Sequence, residues 1–198
     1  MSCAASSVAS DTVTLVIRPA EAGDAAQIAR VRIESWRVTY RGIVPDAYLA
    51  GMDVAQSTQL WDRVLMAESN AASVFVAEND GAIVGFAAGN LLREPRHDLN
   101  AELTAIYVER EFQRAGIGRR LVGHVARAER AQGAHGMIVW VIAANKPARA
   151  FYESLGATLL VEQPFEWDGI PLVEAGYGFA DLDALIDACA GAPDASMH

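Results

Sequence analysis

Apolar and polar positions alternate along this chain in short blocks, and their period shifts between two and 3.6 residues. Thr12 to Arg18 is a β-branched run closed by Pro19, which predicts a strand ended by a turn. Asp24 and Gln27 form a capping-box pair, after which Ile28, Ala29, Ile33, Trp36 and Tyr40 fall on one helical face. Gly42 stops that helix. Pro45 suits the first turn of a second helical piece, and Asp53 with Gln56 caps a third ahead of Leu60, Trp61, Val64 and Leu65.

Ser73 to Glu78 and Ala82 to Gly89 are apolar and separated by Asn79-Asp80-Gly81, whose residues tolerate the positive φ of a tight turn, so they predict a hairpin. Leu91 to Asn100 is charged, contains Pro95 and reads as a loop. Glu102 to Val108 follows, apolar on both faces and therefore a central strand. From Gly116 to Arg130 one helical face carries Ile117, Leu121, Val122 and Val125, while Arg120, His124, Arg127 and Glu129 hold the polar faces. Gly133 and Gly136 end that helix. Met137 to Ala143 is a buried strand, Pro147 to Leu155 a short helix, and Thr158 to Glu162 and Leu172 to Phe179 are two more strands. Hairpin, strand, helix, strand, helix, strand predicts one α/β domain built on a mixed sheet. The domain spans residues 12–180, between a leader at 1–11 and a C-terminal helix and tail at 181–198.

Composition then narrows the class. With 52% hydrophobic residues among 198, the chain can build a full core. Sixteen basic against 25 acidic residues give a net charge of −9, which argues against a nucleic-acid binder. No apolar run approaches a membrane span. Two cysteines, Cys3 and Cys189, in no metal-binding spacing fit a reducing cytoplasm and suggest no metal site.

The chemistry concentrates in Gln113-Arg114-Ala115-Gly116-Ile117-Gly118-Arg119, between a buried strand and an amphipathic helix. Two glycines let the backbone approach a ligand, and the free N–H groups of the helix start form an anion site. Arg114, Arg119 and Arg120 sit at the positive end of that helix, where cations are unfavourable unless a bound anion reverses the penalty. A phosphate or pyrophosphate would do so. The third glycine of the dinucleotide fingerprint is missing, and no Lys-Ser or Lys-Thr pair follows.

This stretch resembles the acetyl-coenzyme A signature of the GNAT family of N-acetyltransferases, Arg/Gln-x-x-Gly-x-Gly/Ala, with Gln113, Gly116 and Gly118 at its fixed positions. Asn145, Ala148, Phe151, Tyr152 and Gly156 resemble the family's second element at about its usual separation. The resemblance implies a mixed, mostly antiparallel sheet of about six to seven strands with flanking helices. It also implies acetyl-CoA as cosubstrate, with no metal. Ile106, Tyr107 and Val108 would pair their backbone with the pantetheine arm, and Gln113, Arg114, Ala115, Gly116, Ile117, Gly118 and Arg119 would wrap the pyrophosphate. Asn145 is either a hydrogen-bond partner of that arm, a cap for the Pro147 helix, or both. Tyr152 corresponds to a tyrosine near the coenzyme sulfur, where a phenol could hydrogen-bond or protonate the leaving thiolate; as plain structure it is a core residue, as Phe151 is.

Glu102 opens the central strand eleven residues before Gln113, matching family members that use a strand glutamate as general base; otherwise it is a solvated strand-end carboxylate. By resemblance the acceptor pocket takes in Trp36, Tyr40, Arg41 and the connection Pro164 to Gly169, with Glu166 and Trp167. Trp36 reads equally as core. Phe165 and Trp167 suggest a lip over the acceptor or a homodimer contact, and Glu166 and Asp168 favour a cationic amine. The expected activity is transfer of an acetyl group to a primary amine of a small molecule or peptide, by direct attack in a ternary complex. A non-catalytic acyl-CoA sensor of the same fold is the alternative.

Overall fold

The computed structural model describes residues 15–67 and 72–190. Its strands are β1 (Leu15–Pro19), β2 (Ser73–Asn79), β3 (Ala82–Arg96), β4 (Leu99–Val108), β5 (Met137–Ile142), β6 (Thr158–Trp167) and β7 (Ile170–Phe179). The α-helices are α1 (Ala25–Thr39), α2 (Asp46–Gly51), α3 (Val54–Leu65), α4 (Ile117–Ala131), α5 (Lys146–Ser154) and α6 (Leu182–Ala190). The leader, the first residues of the expected strand from Thr12, Cys3 and the tail beyond 190 lie outside the described residues.

The strands form one sheet in the order β1-β2-β3-β4-β5-β7-β6. Neighbours are antiparallel except β4 and β5, which run parallel at the centre. That parallel pairing covers only Ala101 to Leu103 against Met137 to Val139. Beyond it β4 keeps β3 on one side, through Ile106 opposite Ala87 and Tyr107 opposite Phe86. Its other edge is left without a strand partner, and an extended ligand could pair there.

One face of the sheet is covered by α4, α5 and α6, whose Leu121, Val125, Tyr152 and Leu185 join Leu103, Met137 and Tyr177 in the main core. The other face carries α1 and α3, with Ile28, Val31 and Trp61 against Val76 and Phe86. A third cluster gathers Trp36, Tyr40, Val44 and Leu49 with Tyr107, Ile142 and Trp167. It ties α1 and α2 to the open edge of β4.

Several local expectations give way to tertiary context. The stretch from Leu91 to Asn100 is not a loop: β3 runs through Arg96 and meets β4 in a tight turn at His97 and Asp98, both with positive φ. Pro95 is tolerated because it lies near the hairpin end, where few ladder bonds need its missing N–H. Likewise Pro164 to Trp167 belongs to β6, and only Asp168 and Gly169 turn into β7, at φ of 47° and 80°. Asp24 and Gln27 do not cap one another. The Asp24 carboxylate accepts from the Glu21 N–H and pairs with Arg18, while the Gln27 amide oxygen accepts from Ile83 N–H. Leu60 stays exposed whereas Trp61 is buried. Glu129, expected on a polar face of α4, is wholly buried, because α4 lies close against the sheet there, with Val125 seated over Gly89 of β3.

Candidate active site

A 3-10 turn at Arg110–Phe112 leads from β4 into the glycine loop. The Gln113 side chain donates from Nε2 to the carbonyl of Val108 at 2.9 Å, which fastens the loop to the end of the strand. Arg114 and Gly116 both adopt left-handed backbone, at φ of 65° and 78°. Turns of this kind bring successive N–H groups round one concavity and form an anion nest. The first bond of α4 runs from Arg120 N–H to the Gly116 carbonyl, so the N–H groups of Ile117, Gly118 and Arg119 enter no helical bond and are directed out of the helix start. A Cβ on Gly118 would come 3.4 Å from the ring of Phe151, an ordinary contact that places the start of α4 against α5. Gly116 has nothing within 4 Å of that position, and its glycine is required by the backbone alone.

The arginines divide. Arg114 and Arg120 are exposed beside the loop. The Arg119 guanidinium instead donates to the carbonyl of Ala188 at 2.9 Å, in the last turn of α6. Its side chain therefore complements the negative end of another helix, while its backbone N–H stands at the start of α4.

At the open edge of β4 three phenols converge. The indole N–H of Trp36 donates to the Tyr107 hydroxyl at 2.8 Å. The Tyr40 hydroxyl sits beside that of Tyr107 and the side-chain amide of Asn145. Asn145 caps α5, its Oδ1 accepting from Ala148 N–H at 3.2 Å, so its amide nitrogen remains for a second partner. Tyr152 is buried on α5 between Phe151 and Tyr177. Burial pushes its hydroxyl far above the ordinary phenol range, and the hydroxyls of Tyr107 and Tyr40 add to the shift. Burial likewise raises Tyr40 and Tyr107, the latter opposed by the Trp36 N–H. All three stay protonated at neutral pH, so each hydroxyl has a proton to donate.

Glu102 lies where β4 still pairs with β5, opposite Ile138. Burial raises its pKa, Arg96 at 4.0 Å opposes the rise, and Glu174 reinforces it. No hydrogen bond joins Glu102 to the phenols. Cys189 is buried, its thiol pushed up to about 11 by that burial, and it touches α4 at Gly123 rather than this site.

A cleft of about 580 Å³ opens between α1, α2, α3 and the β6–β7 turn, and its Arg32 and Trp167 both lie against the Trp36 ring. Arg32, Tyr48, Arg63, Trp167 and Asp168 line it, together with apolar and backbone surface. Trp167 lies 5.2 Å from Trp36 between ring centres and donates its indole N–H to Tyr48, whose hydroxyl donates to Asp168 at 3.0 Å. Glu166 is exposed, and strand alternation places it on the face opposite Trp167, away from the cleft. The structure thus brings together Trp36, Tyr40, Tyr107, Asn145 and Tyr152, sets Trp167 at the rim, and separates Glu166 and Glu102 from them. Sequence reading missed the Tyr107 side chain, Tyr48 and Arg32; for Arg32 the signal was its spacing of four from Trp36 on α1.

A central parallel pair that splays beside a glycine loop at a helix N-terminus defines an acyltransferase fold of the coenzyme-A-dependent kind. The chain belongs to the acetyltransferase (GNAT) family, whose profile matches residues 33–157. An uncharacterized N-acetyltransferase of Bacillus subtilis, YuaI, is 35% identical over 172 residues, covering 86% of this chain and 96% of that protein. The fold matches that of yncA, a putative acetyltransferase from Salmonella typhimurium solved with acetyl-CoA, at a TM-score of 0.64 and 24% identity, over 92% of this chain and 99% of the other. It also matches the PaiA N-acetyltransferase of Thermoplasma acidophilum solved with coenzyme A, at 0.65 and 21%, over 82% and 98%.

Proposed function

We propose that the protein transfers an acetyl group from acetyl-CoA to a primary amine of a small molecule or peptide by direct attack in a ternary complex, in the cytoplasm. The observation that carries this reading is the open edge of β4 running into the nest at Arg114 and Gly116. Residues 104–108 would pair with the pantetheine amides, and the N–H groups at the start of α4 would hold the pyrophosphate. Bound there, acetyl-CoA supplies an activated thioester carbonyl. The fit is physical: an unpaired strand edge and unpaired helix N–H groups are satisfied together by a ligand that is an amide chain at one end and an anion at the other.

In this reading Tyr152 donates a hydrogen bond to the departing sulfur. Its raised pKa favours stabilisation of the thiolate over full proton transfer, since a thiol titrates near 8.5, below this phenol. Tyr107 and Tyr40, oriented by Trp36 and Asn145, line the path of the amine. Glu102 takes up the amine proton through intervening water, its raised pKa bringing a carboxylate closer to neutral pH.

A thiol-release assay over a panel of amines tests the reading, with calorimetry of acetyl-CoA against ATP and NAD alongside. Tight acetyl-CoA binding together with amine-dependent thiol release is the expected result. Binding without release for any amine would leave an acyl-CoA sensor, and no preference over ATP and NAD would remove the cofactor assignment.

A further inference from the structure

The guanidinium of Arg32 stacks over the Trp36 ring, 5.3 Å from its centre, at the wall of the cleft. Among the described residues it forms no ion pair and no hydrogen bond, unlike Arg18, Arg30, Arg130 and Arg149, each of which meets a carboxylate. The cleft does contain two carboxylates, and both have other donors: Asp168 accepts from the Tyr48 hydroxyl, and Asp53 accepts from the Gln56 N–H as the cap of α3. The second cation of the cleft, Arg63, donates to its own helix at the Gln59 carbonyl. Arg32 therefore brings its N–H donors to the wall of a cleft of small-molecule size without a protein acceptor among the described residues.

Its position relative to the chemistry is also informative. The Arg32 charge acts on the hydroxyls of Tyr40 and Tyr107, which stand with Tyr152 at the open edge of β4, and on Tyr48 at the cleft rim. One cation thus lies between the rim and the splay. A guanidinium carries parallel N–H donors that match the two oxygens of an anion better than a lone pair on a neutral group.

Resting on the acetyltransferase reading, we propose that Arg32 binds an anionic group of the acceptor, so that the substrates are small amines carrying a carboxylate or a similar oxyanion. The amine end then reaches the phenols while the anion stays on Arg32. Asp168 completes the complementarity by facing the positive end of such an acceptor as it enters.

The test uses the full-length protein saturated with coenzyme A. Calorimetry measures binding of L-α-amino acids, an aminosulfonate and an aminophosphonate, each against its neutral counterpart, the carboxamide or the amine without the oxyanion. Turnover with acetyl-CoA is measured over the same pairs. At least one anionic amine should bind, and react by kcat/KM, roughly 10- to 100-fold better than its neutral partner, the range expected for one charge-assisted bidentate contact. R32Q should erase that preference, R32K should keep part of it, and both should bind acetyl-CoA as the parent does. The proposal is overturned if no anionic amine outbinds its neutral partner, or if R32Q preserves the preference. Vigorous acetylation of neutral amines with no such preference would sink it while leaving the acetyltransferase reading intact. Anion-selective binding without any turnover would support it and count against that reading.

Discussion

Trp36 on α1 donates its indole N–H to the hydroxyl of Tyr107 on β4, a 2.8 Å bond that crosses from the helical layer to the strand edge where the acyl donor would lie. Both side chains belong to the cluster that joins α1 and α2 to the sheet. The bond does two things at once: it satisfies a donor that is otherwise buried, and it fixes where the Tyr107 hydroxyl points.

Tyr107→Phe should therefore cost more than the loss of one hydroxyl, because it strands the Trp36 N–H away from water. A destabilisation of about 1–3 kcal/mol is expected from urea unfolding. Trp36→Phe, which removes the donor and leaves the Tyr107 hydroxyl free to use Tyr40 or Asn145, should leave less polar imbalance. Equal stability of Tyr107→Phe and the parent would show the indole to be hydrated.

Tyr152→Phe preserves the ring between Phe151 and Tyr177 and removes only the hydroxyl. The fold and the acetyl-CoA affinity should persist while kcat falls on the order of 10²-fold. Full turnover in a reaction limited by chemistry would reduce Tyr152 to a core residue.

For Glu102→Gln the defect should depend on pH. The carboxyl is held above its usual range by burial, so it becomes a base only as pH rises through that elevated value, while the amine still needs deprotonation. The loss in kcat/KM should be greatest near neutrality and shrink toward high pH, where the amine is already neutral. A pH-independent loss would point to a structural role beside Arg96.

Gly116→Val should fold, because its new Cβ meets no protein atom, although its left-handed backbone costs about 1–2 kcal/mol. Acetyl-CoA affinity should collapse, since the side chain would fill the concavity of the nest. Gly133→Val is the control: φ is +99° there too, nothing lies within 4 Å, and it stands at the far end of α4. If both variants keep native affinity by calorimetry, the loop does not bind the cofactor.

Glu129 is wholly buried, its carboxylate oxygens meet no hydrogen-bond partner within reach among the described residues, and burial raises its pKa against an opposing effect of Ser73. The folded state then holds this proton more tightly than the unfolded chain does. The stabilising contribution is complete below the unfolded value, near 4.3, and is lost as pH rises through the folded one. Glu129→Gln, which cannot ionise, should gain stability over the parent as pH climbs from about 4 toward neutrality. Chemical denaturation at several pH values measures the gap, and a gap that is constant with pH would mean the carboxylate is solvated.

Much of this molecule was determined locally. The 3.6-residue face of α1, the turn at Asp80 and Gly81, the Asp53 cap of α3 and the amphipathic α4 follow from interactions within a few residues, and each stands as the pattern predicts. The glycine loop was legible for the same reason, since a left-handed residue before a helix can be read from one glycine. Tertiary structure decided what depends on partners distant in the chain. The charged stretch from Leu91 to Arg96 became strand because β4 returned to pair with its two ends, and Glu129 was buried because α4 seats Val125 over Gly89 on another element. Arg119 was drawn to α6, and Tyr107, whose sequence signal concerned only its backbone, received a fixed hydroxyl from Trp36, 71 residues earlier. Where the β4–β5 pairing stops is likewise invisible in either strand, because the pairing depends on how two segments far apart in the chain diverge and not on the residues of either one. The cleft joins α1, α2, α3 and the β6–β7 turn, and no local period encodes such a meeting, so it had to wait for the fold.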